Sequence, residues 1–296
     1  MDLDVYGLCL GGNVFGWTAD REASFAVLDG YVLAGGNFID TADTYMRPNM
    51  GTSERIIGEW MASRDNREQL VIATKVGSDG GLSAANIAEH VDASLGRLQT
   101  DWIDLYYAHK DDGTVPVDET MRAFDKTVRD GKVRFLGASN VPPERLVESL
   151  EIAGREGLEP YTWLQPHYNL VEREGYERDY APIVAEHGLA VAPYYSLASG
   201  FLTGKYRPGG EAGDSPRAEK AMSYLDARGE RVLKALEEVA DENGVPMASA
   251  AIMWLWSKPG VVSPIASART IEQLGDILPS MQLSDEQVAK LDEASA

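Results

Sequence analysis

The stretch GGNFIDTADTY, residues 35–45, joins a short apolar run to a polar loop. The run Asn37–Asp40 has the length and residue types of a strand buried in a parallel sheet. It ends on a carboxylate, Asp40, and the loop that follows leads to a phenol, Tyr45. Reactive side chains directly after an apolar strand are typical of α/β folds whose functional groups lie at the carboxyl ends of the strands.

Two later stretches repeat this change from apolar run to reactive side chain. LVIATKVG, residues 70–77, places Lys75 at the end of its run, and WIDLYYAHK, residues 102–110, places His109 there. Segments with helical patterning separate the runs. We therefore expect a (β/α)8 barrel, in which the four side chains meet at one mouth because all strand ends share one face.

A repeat of one strand and one helix, roughly thirty residues long, runs through the chain. The predicted strands are Val5–Leu10, Asn37–Asp40, Leu70–Lys75, Ile103–Ala108, Phe135–Ser139, Thr162–Pro166, Ala190–Tyr194 and Val261–Ile265. The predicted barrel occupies residues 1–296 as a single domain, since a barrel of this kind typically needs about 250 residues.

Several helix ends are legible. We expect Ser53 and Ser83 to be N-caps, and Pro143 to lie in the first turn of a helix that runs to Glu156. The last repeat carries a long loop after the seventh strand, from Gly200 to Asp226. A helix Val117–Asp130 is expected in the middle of the chain. The helices expected beyond the loop are Arg228–Asn243, Pro246–Trp256 and an extra C-terminal helix Ser284–Ala294, the last with a capping box.

Composition limits the partners. The net charge of −20 argues against nonspecific nucleic-acid binding and against attraction to anionic membranes. No signal sequence leads the chain and no run of about 18 apolar residues occurs, which predicts neither export nor a membrane span. The single cysteine, Cys9, is expected to be a buried thiol in a cytoplasmic protein. The sequence leaves the oligomeric state open.

The chemistry of the four side chains can be argued from their types. The Lys75 ammonium is expected to lower the pKa of Tyr45 from its usual value of about 10, and Asp40 to hold that ammonium in place. A tyrosine so tuned is a general acid for an oxygen that gains negative charge, as in carbonyl reduction. The hydride must then come from a nicotinamide or flavin. The alternative is a structural ion pair beside an ordinary loop tyrosine and a packing histidine.

The chain resembles the aldo-keto reductases over nearly its whole length. The motifs that carry the resemblance are GGNFIDTADTY with SERIIGEWM, TKVG, YYAHK, FLGASNV, WLQPHYNLVERE, APYYSLASGFLTGKY and ASARTIEQL, in that order. The resemblance implies an oxidoreductase that uses NADPH to reduce an aldehyde, a ketone or a sugar carbonyl. In it Tyr45 would be the acid, Lys75 and Asp40 would tune it, and His109 would orient the small-molecule carbonyl substrate.

Neither a Gly-x-Gly-x-x-Gly fingerprint nor a nucleotide phosphate loop is present, so we expect a nicotinamide to bind at the barrel mouth. The resemblance implies which residues form that site. Ser139, Asn140 and Gln165 match the family's carboxamide-binding positions, and Tyr194 matches the aromatic that stacks on the nicotinamide. Arg269 would favour the 2′-phosphate of NADPH, since a guanidinium binds phosphate bidentately. The remaining implied cofactor contacts are Gly12, Asn13, Asp40, Tyr195, Leu197, Ser199, Lys205, Arg217, Ser267, Gln273 and Asp276, with Lys205 and Arg217 expected at the phosphates.

The expected substrate pocket is an apolar slot with some polar capacity. Its candidate walls are Phe15, Trp17, Met46, Arg47 and Asn169. No set of His, Asp and Glu residues at strand ends predicts a metal site, which weakens a hydrolase reading of the same barrel.

The resemblance also leaves one alternative function. A cofactor-binding regulatory protein, similar to the potassium-channel β subunits, is the alternative function, but those relatives typically have asparagine where this chain has His109.

Family members also usually open with a β-hairpin under the barrel. This chain reaches LCLGGNVFG within its first sixteen residues, and only the second hairpin strand is expected.

Overall fold

The computed structural model describes residues 3–46, 49–111, 113–207, 209 and 215–296. Its eight parallel strands form one sheet in the order β7-β6-β5-β4-β3-β2-β1-β8. The strands are β1 Cys9–Gly11, β2 Phe38–Asp40, β3 Val71–Val76, β4 Ile103–Ala108, β5 Val133–Ser139, β6 Tyr161–Gln165, β7 Ala190–Val191 and β8 Ile265–Ala266.

The two ends of this sheet meet. Val191 of β7 forms a parallel bridge with Val261, and its amide donates to the Gly260 carbonyl at 2.9 Å. Farther along, the Ile265 amide donates to the Pro193 carbonyl at 2.9 Å. The sheet therefore closes on itself, and the predicted (β/α)8 barrel is confirmed.

Helices surround the sheet. They are α1 Arg21–Leu33, α2 Thr52–Arg64, α3 Ala84–Leu98, α4 Val117–Arg129, α5 Pro143–Glu156, α6 Glu174–Asp179, α7 Ala181–His187, α8 Ala218–Met222, α9 Ala227–Asn243, α10 Met247–Trp256, α11 Ile271–Ile277 and α12 Asp285–Ala294. None of the described helices is long and apolar enough to span a membrane.

Most predicted helix ends are confirmed. The Ser83 side chain accepts from the Asn86 amide, Pro143 begins α5, and Ser284 and Gln287 form the capping box of α12. Ser53 is an exception, because α2 begins one residue earlier, behind Gly51. The Ser53 hydroxyl is buried and donates to the Gly12 carbonyl at 2.8 Å, so it ties α2 to the turn that follows β1 rather than capping a helix.

Two strands are shorter than predicted because of proline. The expected runs Ala190–Tyr194 and Val261–Ile265 each contain a proline, Pro193 and Pro264, whose nitrogen carries no hydrogen for a ladder bond. Their carbonyls still accept from the neighbouring strands, Pro264 from the Cys9 amide at 2.9 Å. The prolines thus interrupt the ladder while the barrel wall stays continuous.

The start of the chain closes the lower end of the barrel without a hairpin strand. Residues 3–8 form no strand, so the expected second hairpin strand is wrong and β1 begins only at Cys9. The Asn37 side chain takes the backbone bonds that a strand would use, accepting from the Tyr6 amide and donating to the Asp4 carbonyl. Leu3 and Val5 pack against the buried cluster inside the barrel.

The long loop after β7 is partly helical. A 3-10 segment, Ala198–Thr203, opens it and α8 lies near its end, whereas the sequence predicted an irregular loop throughout. The left-handed φ of 60° at Ser199 and of 95° at Gly200 bends the first segment sharply. This part of the loop lies over the barrel mouth, which positions it for the site described next.

Candidate active site

Asp40, Lys75 and Tyr45 form a connected set inside the mouth of the barrel. Asp40 ends β2, and Lys75 lies on β3 beside it, so neighbouring strands bring the two side chains together. The Lys75 Nζ lies 2.5 Å from Asp40 Oδ2 and also donates to the Thr41 carbonyl at 2.7 Å. Its third contact is the Tyr45 hydroxyl at 3.2 Å. The ammonium is fully buried, and all three of its hydrogens have an acceptor.

His109 completes the predicted quartet. It follows β4, and its amide donates to the Val76 carbonyl at 2.7 Å, which holds it beside β3. Its ring meets the Tyr45 ring edge to face, with centroids 6.1 Å apart. The Nδ1 atom is buried and has no hydrogen-bond partner among the described residues. The phenol and the imidazole therefore lie side by side at the same wall.

The charges of this set are fixed by burial and by Lys75. Burial, with the nearby ammonium, lowers the pKa of His109 to about 3, so the ring is neutral at ordinary pH. Burial raises the pKa of Tyr45 by more than the Lys75 ammonium lowers it, and the net direction is upward. The expected net lowering of that pKa is therefore wrong, although the ammonium acts in the predicted direction. The free site holds a neutral phenol.

Two amide side chains, those of Gln165 and Asn140, hydrogen-bond to Asp40 and His109 and orient them. Gln165, at the end of β6, donates to Asp40 Oδ1 at 2.9 Å, so both carboxylate oxygens are engaged. Asn140 donates to the His109 carbonyl at 2.9 Å and to the Ser139 hydroxyl at 3.0 Å. Asn140 also accepts from the Tyr194 hydroxyl at 2.8 Å. One set of hydrogen bonds thereby links the ends of β6 and β2, and another links the ends of β4 and β5 to the loop after β7.

These groups open into one large cavity of about 830 Å³. Tyr45, His109 and Gln165 line one part of it, and the loop after β8 lines another. Most of the side chains predicted from sequence lie on its wall: Asn13, Trp17, Asp40, Tyr45, His109, Ser139, Asn140, Gln165, Tyr194, Tyr195, Leu197, Ser199, Lys205, Arg217, Ser267, Arg269, Gln273 and Asp276.

Three cations on this wall have no ion-pair partner in the described part of the chain: Lys205, Arg217 and Arg269. The Arg217 guanidinium lies over the Trp17 ring, 5.3 Å from its centroid. Burial lowers the pKa of Arg217, and the charge of Arg269 acts in the same direction. Unpaired cations grouped in a protein with a net charge of −20 favour an anionic ligand.

The comparison with known protein families agrees with this geometry. The model of the Aldo/keto reductase family matches residues 7–296. The chain belongs to the aldo/keto reductase family. This confirms the resemblance carried by the sequence motifs, and the relatives named below are oxidoreductases, so the protein is an oxidoreductase enzyme.

Three relatives of this aldo/keto reductase illustrate the range. It is 33% identical to norsolorinic acid reductase B of Aspergillus parasiticus, over 97% of this chain and 80% of that protein. It is 36% identical to the aryl-alcohol dehydrogenase [NADP(+)] of Phanerodontia chrysosporium, over 90% of this chain and 74% of that one. An uncharacterized oxidoreductase of Bacillus subtilis is 34% identical, over 98% and 91% respectively.

Several residues predicted from the sequence as walls of the substrate pocket do not line the cavity of this reductase. Phe15 is fully buried in the main hydrophobic core. Asn169 is also buried and serves the backbone, donating to the Tyr195 carbonyl at 2.9 Å and accepting from the Val171 amide. Met46 lies near Tyr45 but off the cavity wall, and Arg47 falls outside the described residues. Among the predicted substrate walls that the structure describes, Trp17 alone faces the cavity.

Sequence reasoning missed some of the wall and misplaced one glycine. Gly11 lines the cavity in place of its neighbour Gly12, which packs against Ser53 and the Asp40 backbone. The glycine pair in LCLGGNVFG was a signal for this, since a first glycine at a strand end is where close approach is needed. The start of α10 also contributes, through Pro246, Met247 and Ala248, and no sequence signal marked it.

Proposed function

We propose that this enzyme reduces the carbonyl group of an aldehyde, a ketone or a sugar, with NADPH as the hydride donor and Tyr45 as the proton donor. One observation carries the proposal: a Tyr45 hydroxyl 3.2 Å from a buried ammonium on the wall of a large cavity, beside a neutral imidazole. Carbonyl reduction needs a proton at the oxygen when that oxygen gains negative charge. A phenol beside an ammonium is suited to donate that proton, because the ammonium stabilises the phenolate that results.

Tyr45 holds the proton to be transferred. Its raised pKa keeps the phenol protonated before the reaction, and an alkoxide that forms beside it is a much stronger base than a phenolate. Once the proton has left, the phenolate lies 3.2 Å from the Lys75 ammonium, which stabilises it. Asp40 keeps that ammonium in place, because a charge buried in this way needs a partner.

His109 is suited to orient the carbonyl oxygen. Because its ring is neutral, one nitrogen carries a hydrogen that can be donated, and it adds no positive charge beside Lys75. Its edge-to-face contact with Tyr45 directs both side chains toward one wall of the cavity. Two donors meeting at one oxygen would fix the carbonyl for protonation.

The residues present fit a nicotinamide dinucleotide. The cavity volume of about 830 Å³ lies within the range of cofactor and ligand sites. Ser139, Asn140 and Gln165 provide hydroxyl and amide groups for a carboxamide, and Tyr194 provides an aromatic face. Lys205, Arg217 and Arg269 would hold the phosphates, and a bound reduced nicotinamide would supply the hydride.

The mouth of the cavity favours apolar substrates. Trp17 and Tyr195 lie on the cavity wall with 46% and 47% of their surface exposed. Exposed aromatic side chains at a cavity entrance are suited to stacking on a planar ligand. The relatives named for norsolorinic acid and for aryl alcohols make aromatic carbonyl compounds the first substrates to try.

The test is a titration of the protein with NADPH, followed by nicotinamide absorbance in the presence of aryl aldehydes, aryl ketones, aliphatic aldehydes and sugars. We expect saturable binding and oxidation of the cofactor with at least one class. Tyr6→Phe is a matched control, because Tyr6 lies below the barrel against Tyr31, and it should behave as the wild type. Absence of NADPH binding would contradict the proposal.

A further inference from the structure

Asp43 lies in segment 41–46, which follows Asp40 and contains Tyr45. Its side chain is 2% exposed, and it points away from the cavity toward α3, where its Oδ2 lies 2.6 Å from His90 Nδ1. The other carboxylate oxygen, Oδ1, has no hydrogen-bond partner among the described residues. Among the described residues, His90 is therefore the one side-chain hydrogen-bond partner of this buried carboxylate.

The backbone of this segment is held weakly beyond Thr41. The Thr41 amide donates to the Ala73 carbonyl at 2.9 Å, as in a regular ladder. The next bonds are longer: the Asp43 amide reaches the Lys75 carbonyl at 3.4 Å, and the Tyr45 amide reaches the Ala42 carbonyl at 3.4 Å. Bonds of this length are near the limit for amide donors. Among the described residues, the contact of Asp43 with His90 is the shortest hydrogen bond that joins this segment to the rest of the molecule after Thr41.

The same segment bears on both partners of the proposed proton donor. Asp43 contacts the backbone of Lys75, and Tyr45 lies two residues farther along. A change in the position of Asp43 therefore alters the separation between the Lys75 Nζ and the Tyr45 hydroxyl, which is 3.2 Å. Met46 next to Tyr45 has a left-handed φ of 73°, so the chain turns sharply just after it.

The charges around Asp43 make His90 more than a packing residue. Glu54 of α2 is also buried, and it pairs with Arg97 of α3 at 2.5 Å and accepts from the Thr74 hydroxyl at 2.6 Å. Burial raises the pKa of Asp43 to about 6, the His90 hydrogen bond acts against this rise, and the charges of Glu54 and Arg97 act more weakly and in opposite directions. Arg97 thus pairs with Glu54 and forms no ion pair with Asp43 in the described part of the chain. His90 is the donor that Asp43 needs, because a buried carboxylate without one is costly.

We propose that His90 and Asp43 form a positioning pair for Tyr45, which fixes segment 41–46 against α3 and so sets the contact between Tyr45 and Lys75. Neither residue lines the cavity, so the pair does not touch substrate or cofactor. The proposal rests on the proposed role of Tyr45 as the proton donor. It predicts a defect in the chemical step alone, with cofactor binding intact.

The variants His90→Ala and His90→Gln test it in the full-length protein. His90→Ala removes the donor, and kcat is expected to fall about 10- to 100-fold, the size of effect that a misplacement of about 1 Å produces. The NADPH dissociation constant, measured by fluorescence titration, should change less than twofold. In His90→Gln the side-chain amide can donate to Asp43, so most of kcat should return. His187→Ala is the control, because that histidine is exposed at the end of α7.

The outcomes separate this inference from the proposed function. Wild-type kcat in His90→Ala, alongside a Tyr45→Phe variant that has lost turnover, would overturn the positioning pair and leave the proton donor in place. Equal losses of kcat and NADPH affinity in His90→Ala, with none recovered by His90→Gln, would also overturn it, because that pattern indicates a general structural role. Full turnover in Tyr45→Phe would instead refute the proposed function.

Discussion

The Lys75 ammonium and the Asp40 carboxylate are 2.5 Å apart, and both side chains are buried. A buried pair of this kind stabilises the fold only while both members are present, since removing one leaves a charge in a low-dielectric interior. The pair links strands β2 and β3 and also holds the Tyr45 hydroxyl. Stability and chemistry therefore depend on the same contact.

Lys75→Met should lower both activity and stability. The variant leaves the Asp40 charge buried without its partner, for which a loss of about 3–5 kcal/mol in the free energy of unfolding is typical. Urea unfolding measures it. Lys126→Met is the matched control, because Lys126 is exposed and pairs with Asp130 on a helix surface, where such pairs contribute at most about 0.5 kcal/mol. Similar losses in the two variants would contradict the account.

The pH dependence of reduction follows from Tyr45. Burial raises its pKa above the ordinary value of 10.0, so the phenol keeps its proton throughout the neutral range. We expect kcat/KM for reduction to stay level from about pH 6 to 9 and to fall only at more alkaline pH, since this parameter reports the free enzyme. Alcohol oxidation needs the phenolate and should rise with pH instead.

His109 should leave no step in that profile between pH 5 and 8. Its pKa is lowered to about 3, mainly by burial, so its charge does not change in this range. A fall in kcat/KM for reduction as the pH rises, with a midpoint near pH 7, would show that a group of the site loses its proton there. That result would exclude the assignment of Tyr45 as a protonated acid in the free enzyme.

Arg269→Ala should weaken NADPH more than NADH. The side chain has no ion pair in the described part of the chain, and its backbone amide is held by Gln273 at 3.0 Å. A hydrogen bond to a charged group contributes about 1.5–3 kcal/mol, which corresponds to about 10- to 100-fold in the dissociation constant for NADPH. Arg231→Ala, on the exposed face of α9, serves as the control. Equal losses for both cofactors would mean that Arg269 does not contact the 2′-phosphate.

Gly11→Ala tests the cavity wall at β1. An added Cβ would lie 2.6 Å from the Ser267 hydroxyl, which now donates to Asn13 at 2.8 Å. Displacing that hydroxyl should weaken NADPH by up to about tenfold, the range of one hydrogen bond. Gly154→Ala on α5 is the matched control, since a Cβ there meets nothing within 4 Å and the change should be neutral or slightly stabilising. Unchanged NADPH affinity in Gly11→Ala would remove this wall from the cofactor site.

The strand ends could be predicted from sequence because their residues carry two signals at once. Asp40 and Lys75 each follow an apolar run, and a charged side chain at that point is not expected to pack in a hydrophobic core. The barrel followed from the repetition of such runs, and the structure brings Asp40, Tyr45, Lys75 and His109 together as expected. The short strands β7 and β8 could not be delimited, because prolines end the ladder without ending the wall.

Other residues were misjudged because sequence position does not fix the direction of a side chain. Ser53 resembles an N-cap, yet its hydroxyl is turned inward to the Gly12 carbonyl. Phe15 and Asn169 occupy loops beside the mouth but serve the core and the backbone. The contact between Asp43 and His90 joins residues 47 positions apart, and no local pattern indicates it.

The most direct test of the central claim is single-turnover NADPH oxidation by Tyr45→Phe, with cofactor affinity measured on the same sample. The account predicts that the rate falls by about 10²- to 10⁴-fold, the usual contribution of a general acid, while the NADPH dissociation constant changes little. The same rate as in the wild type, with NADPH bound equally well, would contradict the assignment of Tyr45 as the proton donor.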